Sequence, residues 1–197
     1  MSATYYKFLS ANQIGRHSRK RLPIGEWIRV DGPLEMCANG IHITTIEHAL
    51  EWLDEHAHIV EIRGEHIVGD NKLCCREVYI HPALPAWNEQ SSRLLAADFA
   101  EHVLHIFESE CPGDDRPRKA IEATRAFARG EITAAARAAA GDAAVDAAGA
   151  AAGAAAGAAA WAAARAAAGA AAGAAAGDAE RRWQAERLAA YLIGGAR

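Results

Sequence analysis

The sequence predicts an α+β protein: a small N-terminal mixed β-sheet domain with one packed helix, residues 1–85, then an all-α, alanine-rich helical bundle, residues 90–197. Three observations predict it. Short β-branched runs alternating with period two, separated by Gly, Pro and Asp, occupy the first part of the chain. Apolar residues at helical spacing follow from about residue 90. Between Ala134 and Gly177, 31 of 44 residues are alanine, the strongest helix former.

In order, Tyr5–Leu9 is a short aromatic and aliphatic run that reads as a first strand. Gly15–Arg21 is a polar, basic loop whose Arg16, His17, Arg19, Lys20 and Arg21 could touch phosphate but fit a solvated connection better. Pro23 and Gly25 turn the chain into a strand at Trp27–Val30, and Asp31-Gly32-Pro33 closes it. Gly40–Thr44 is a further short strand. Ile46, Ala49, Leu50 and Leu53 then recur at helical spacing, with Thr45 placed as N-cap. Ile59–Arg63 alternates, Val60 and Ile62 facing one way and Glu61 and Arg63 the other. Gly64 and Gly69-Asp70 supply turns before a last strand over Lys72–His81.

Pro82, Pro85 and Trp87-Asn88 connect to the helices. Ser91 or Ser92 can cap a helix with apolar positions Leu94, Leu95, Phe99, Val103, Leu104, Ile106 and Phe107, and with Asp98, Glu101, Glu108 and Glu110 outward. Cys111-Pro112-Gly113 ends it. Asp114-Asp115-Arg116-Pro117 opens the next helix, acidic residues and proline both suiting a first turn. Its inward stripe is Ala120, Ile121, Thr124, Phe127 and Ala128, and Gly130 marks its end.

From Arg137 to Gly177 the chain repeats every four residues, with Gly141, Gly149, Gly153, Gly157, Gly169, Gly173 and Gly177 on the register. Seven interior glycines cost on the order of 7 kcal/mol of helix propensity against alanine. Close helix–helix approach at small-x-x-x-small positions can offset that cost. Low-complexity expansion is the alternative, and both can hold. A single helix would run about 60 Å, so a break near Gly157 or Gly169 is expected. Gly177-Asp178 caps a last helix carrying Trp183, Leu188, Tyr191 and Leu192.

Composition narrows the function classes. Residues 1–90 hold 9 Lys+Arg against 12 Asp+Glu, and residues 91–197 hold 12 against 13, so neither half has the basic excess of a nucleic-acid binder. Ala147–Ala164 is uncharged but lacks the Leu, Ile, Phe and Val that drive membrane insertion. No membrane contact is expected. Cys37, Cys74, Cys75 and Cys111 make no disulfide framework, and Met1–Ser10 lacks a signal-peptide pattern, so a reducing cytoplasm is expected. With no Cys-x-x-Cys pair, no metal is expected, and no cofactor either.

The run Gly32-Pro33-Leu34-Glu35-Met36-Cys37-Ala38-Asn39-Gly40-Ile41-His42 resembles the Cys-x-x-Gly-[aromatic/aliphatic]-His signature of an uncharacterised domain common in phage and prophage proteins. Trp52-Leu53, Val60–Gly64 and Asp70-Asn71-Lys72 extend that resemblance over residues 5–82. The order Gly40–Thr44, helix, Val60-Glu61-Ile62 is also similar to the core of ADP-ribosyltransferase-like folds. That similarity implies an enzyme acting on NAD or ADP-ribose, with His42 holding NAD and Glu61 or Glu77 as the carboxylate. The bland alternative makes His42 a buried, hydrogen-bonded residue that fixes its strand.

Phe99–Leu104, Phe107-Glu108, Pro112, Asp114–Arg118, Ala120–Ala123 and Arg125–Glu131 resemble a helical family of bacterial immunity proteins, best over residues 90–140. The resemblance implies a non-enzymatic protein-binding module of phage or mobile-element origin, an immunity factor or inhibitor of a toxin or defence protein. Its partner would be another protein, with Asp114, Asp115, Arg116 and Arg118 as candidate binding residues. A capped helix start with internal ion pairs is the alternative for those four. The alanine/glycine helices could also serve oligomerisation.

Overall fold

A computed structural model describes residues 4–15, 20–144 and 177–194. The chain forms two compact units: Met1–Asn88 together with Arg181–Arg197, and Glu89–Glu180. The sequence groups the last helix with residues 90–197; the structure groups it with the N-terminal unit.

The first unit is built on a five-stranded antiparallel sheet. Its strands are β1 (Tyr5–Leu9), β2 (Trp27–Arg29), β3 (Ile41–Ile43), β4 (His56–Val68) and β5 (Leu73–Ala83). The long hairpin β4–β5 is its centre: β1 pairs with β4, while β2 and β3 take successive stretches of β5, Glu77–Tyr79 and Leu73–Cys75. Beyond β3, the Tyr6 amide donates to the Thr44 carbonyl at 2.8 Å and the Thr44 amide to the Tyr6 carbonyl at 3.0 Å. These bonds bring the first and third strands together and curl the sheet toward a barrel. Ile41, Ile43, Val60, Leu73, Cys75, Val78 and Ile80 fill the concave side, with Tyr5, Leu22, Ile24, Ile28, Val30 and Ile62 packed against them.

The alternation in Trp27–Val30 and Ile59–Arg63 is therefore real. Ile28, Val30, Val60 and Ile62 go inward, and Trp27, Arg29, Glu61 and Arg63 line the other face, where the Arg63 guanidinium lies 3.9 Å from the Trp27 ring centre. Two elements differ from expectation. Gly64 makes no turn: it sits inside β4 at φ +76°, where the register slips between Arg63 and His66. The bulge bends a strand that would otherwise be too long and straight to curl. The expected helix is a short 3-10 helix, Ile46–Glu51, burying only Ala49, and Thr45 makes no side-chain cap. Short connectors between strands commonly take 3-10 form.

Residues 181–192 are helical and bury Ala185, Leu188, Tyr191 and Leu192, a stripe at helical spacing. Gly194 ends the segment at φ +75°, and a side chain there would come within 3.6 Å of the Ala86 methyl.

In the second unit, α1 (Glu89–Glu110) packs against α2 (Arg116–Ala128) through Ala97, Leu104 and Ile121. Neither Ser91 nor Ser92 caps α1, which already begins at Glu89; the Ser92 hydroxyl donates back to the Glu89 carbonyl. The seven apolar positions of α1 span more than one face, and Val103 and Ile106 are exposed at 39% and 57%. Asp98, expected outward, is nearly buried and pairs with Arg125 at 2.8 Å. Gly130 closes α2 as expected: at φ +76° its amide donates to the Phe127 carbonyl, and the Glu131 amide to that of Ala126. This is the double bond pattern of a glycine-terminated helix.

Residues 134–144 are helical. The rest of the four-residue repeat, with Gly149, Gly153, Gly157, Trp161, Gly169, Gly173 and the expected break, lies outside the described residues. So do Arg16, His17 and Arg19 of the basic loop.

Candidate functional sites

The Cys37–His42 signature folds as a tight loop locked onto β5. Cys37 adopts a left-handed conformation at φ +66°, and its amide donates to His42 Nε2 at 3.1 Å. Because Nε2 accepts, the proton of the neutral ring is on Nδ1. Burial, then the nearby Lys7 and Lys72 charges, hold the His42 pKa below its ordinary value, which suits that acceptor role. The Asn39 side chain donates to the Asp31 and Pro33 carbonyls at 2.8 and 2.7 Å. The Cys74 thiol donates to the Asn39 carbonyl at 3.4 Å. A Cβ on Gly40, at φ +145°, would lie 2.2 Å from Cys74 Sγ. Gly40 and His42 of the signature are thus explained by how the loop is held, while Cys37 contributes its backbone amide and leaves its thiol exposed.

The carboxylates paired with His42 in the enzyme reading lie elsewhere. His42 faces Cys74 across the β3–β5 pairing, Glu77 aligns with Arg29 and Arg63, and Glu61 aligns with Tyr79. At about 3.4 Å per residue, Glu61 is on the order of 17 Å further along β5 than His42. Glu77 is held by Arg63 at 2.8 Å and Arg29 at 3.8 Å, and the Arg63 hydrogen bond lowers its pKa. Glu61 pairs with His81 at 2.8 Å. The three side chains do not converge on one point.

His42 does border a cavity of about 750 Å³ along the seam between β1 and β3, and neither Glu61 nor Glu77 lines it. Lys7 enters this space from β1. Its ammonium donates to the His42 carbonyl at 2.6 Å, and burial pulls its pKa down to about 8. Sequence reasoning passed over Lys7. The signal was there: one cation inside an otherwise apolar strand, two residues from inward Tyr5 and so on the same face. Cys75, beside it in the core, has its thiol pushed up to about 12 by burial and is a small apolar side chain rather than a nucleophile. Among the described residues no group of three or more His, Cys, Asp or Glu could hold a metal ion.

At the start of α2 the four charged residues are close together, each with an internal partner. Arg116 is bidentate on Asp114 at 2.8 and 2.5 Å, and its amide bonds the same carboxylate at 3.2 Å. The Arg116 side chain is the main reason the Asp114 pKa falls to about 2. Of the two aspartates at the helix start, Asp114 thus accepts from a first-turn amide, while Asp115 makes no cap bond and pairs with Lys119 at 2.8 Å. Arg118 reaches back to Glu108 on α1 at 2.5 Å. Arg125 joins the helices at mid-length, holding Asp98 at 2.8 Å and Glu101 at 2.6 Å, and the Glu101 bond is the leading cause of its raised pKa.

This helical pair lies within the region that decides the comparison with known proteins. Residues 87–176 match the family described as Imm-5 like putative immunity protein. The match begins at Trp87 and takes in α1, α2 and the alanine repeat through Ala176, extending the likeness read from residues 90–140. It spans just under half of the chain. No curated protein and no solved structure matches. No helix among the described residues is long and apolar enough to cross a membrane.

Proposed function

We propose that the protein is an immunity-type factor that binds and neutralises another protein, a toxin or a defence component, in a phage or mobile-element setting. The match of residues 87–176 to an immunity family carries this reading. The start of α2 supports it: Asp115, Lys119 and Arg118 remain 59%, 65% and 48% exposed while their partners hold them in place. Charges held that way lose less freedom on binding than free side chains, and they favour a complementary partner. Exposed Val103 and Ile106 add apolar area on α1. The protein needs no catalytic group for this role.

The test is co-expression with the product of the adjacent gene. Rescue of growth together with a stoichiometric complex is expected, weakened by Asp115→Lys combined with Arg118→Glu at unchanged melting temperature. NAD turnover by the purified protein, or rescue without a complex, would replace this reading with an enzymatic one.

A further inference from the structure

The cavity beside β1 and β3 has an unusual charge balance. Lys7, Lys20, Arg21 and Lys72 all border it, and among the described residues no Asp or Glu does. The chain as a whole carries a formal charge of −4, so these cations are gathered against the average. The outer ones are partly engaged: Arg21 Nε donates to Gln13 Oε1 at 2.8 Å, and Lys72 lies 5.1 Å from the Trp52 ring centre.

Lys7 is the informative one. An ammonium has three N–H donors. Among the described residues its hydrogen-bond partner is one carbonyl, that of His42. No carboxylate there forms an ion pair with it. Bringing a charge in from water is costly unless it is paired. Two donors and an uncompensated charge are therefore available at the cavity, beside the apolar side chains of Ile28 and Ile43 and the ring of Trp52.

We propose that this cavity binds a phosphorylated small molecule of the nucleotide class, its phosphates on Lys7 and the rim cations and its base against the apolar wall. Several cations around one space fit a polyanion better than a single carboxylate. The volume of about 750 Å³ is in the range of sites that enclose a ligand of that size. This inference is independent of the immunity reading, which rests on residues 87–176.

ATP and pyrophosphate are the probes, titrated into the full-length protein at low salt and followed by melting temperature and calorimetry. Both should raise the melting temperature, ATP more. Lys7→Met should weaken ATP binding at least about tenfold, as expected for loss of a charge-assisted contact. The same variant should melt no lower than wild type without ligand, because it removes an uncompensated charge. Should Lys7→Met fail to fold, Arg21→Gln at the exposed rim serves instead, with a several-fold loss of ATP affinity expected at unchanged stability. Absence of binding by both probes overturns the proposal, as does undiminished ATP binding by the folded variant. Lys7-dependent binding of single-stranded RNA without ATP binding also overturns it, in favour of a nucleic-acid surface.

Discussion

Gly40 has no room for a side chain. A Cβ would overlap Cys74 Sγ at 2.2 Å and force alanine into a φ of +145°. Gly40→Ala should therefore cost roughly 2–4 kcal/mol in denaturant unfolding. His42→Ala should cost about 1 kcal/mol, the scale of one net hydrogen bond. A His42→Ala protein of wild-type stability would show that the Cys37 amide does not depend on the imidazole. His58 adds a pH dependence. Its Nδ1 contacts the His81 carbonyl at 2.8 Å, and Nε2 is buried without a partner among the described residues. Burial holds the pKa of both His58 and His42 below the ordinary histidine value of about 6.5. The unfolded chain then binds more protons in that window, so stability is full above about 6.5 and falls as pH drops below it. Melting temperature should fall between about pH 7 and pH 5, and less steeply in His58→Leu. An unchanged slope in that variant would assign the effect to other groups.

At the scale of elements, the two ion-pair sets of the helical unit should behave differently. Arg125 holds Asp98, whose side chain is 11% exposed, so Arg125→Ala removes a charge-assisted bond from a nearly buried carboxylate. A loss of about 1–3 kcal/mol is expected. Arg118 and Glu108 meet at 48% and 35% exposure, and Arg118→Ala should cost under about 1 kcal/mol. Equal losses in the two variants would contradict this division. The same contrast shows what the sequence could tell. Strand periodicity at Ile59–Arg63 and the Gly130 stop were legible because each is a local pattern. Gly64 was not, since glycine reads alike in a turn and in a bulge, and only the pairing with β5 separates them. The inward turn of Asp98 was equally hidden, because its reason is an arginine 27 residues away. Lys7 was legible by position in its strand, but its role needed the seam between β1 and β3.

For the whole molecule, the last helix reads from sequence through Trp183, Leu188, Tyr191 and Leu192, and the structure buries Leu188, Tyr191 and Leu192 with Ala185 in the sheet's unit. Ending the chain at residue 180 should destabilise that unit by several kcal/mol, at about 1.5–3 kcal/mol for each large apolar side chain removed. Unchanged unfolding of the sheet, followed by tryptophan fluorescence, would show that the last helix contributes nothing to it. Chelator and reductant should move the melting temperature by no more than a few degrees, since Cys37, Cys74, Cys75 and Cys111 are all free thiols. A larger shift would reveal a metal or a disulfide.

The division of the chain has one more consequence. Because Met1–Asn88 and Arg181–Arg197 build one unit, residues 89–180 are a guest inserted into a host whose two parts flank them in the sequence. A ribosome delivers all five strands before the guest, so the sheet must wait for the helix of residues 181–192 while the repeat is being made. The guest joins the host through two chain connections, after Asn88 and before Arg181, so a change of length between them leaves the host's own residues intact. Four-residue units of alanine and glycine could thus be gained or lost by replication slippage with little penalty to the host. Sister strains should differ in repeat number while keeping both flanks the same length.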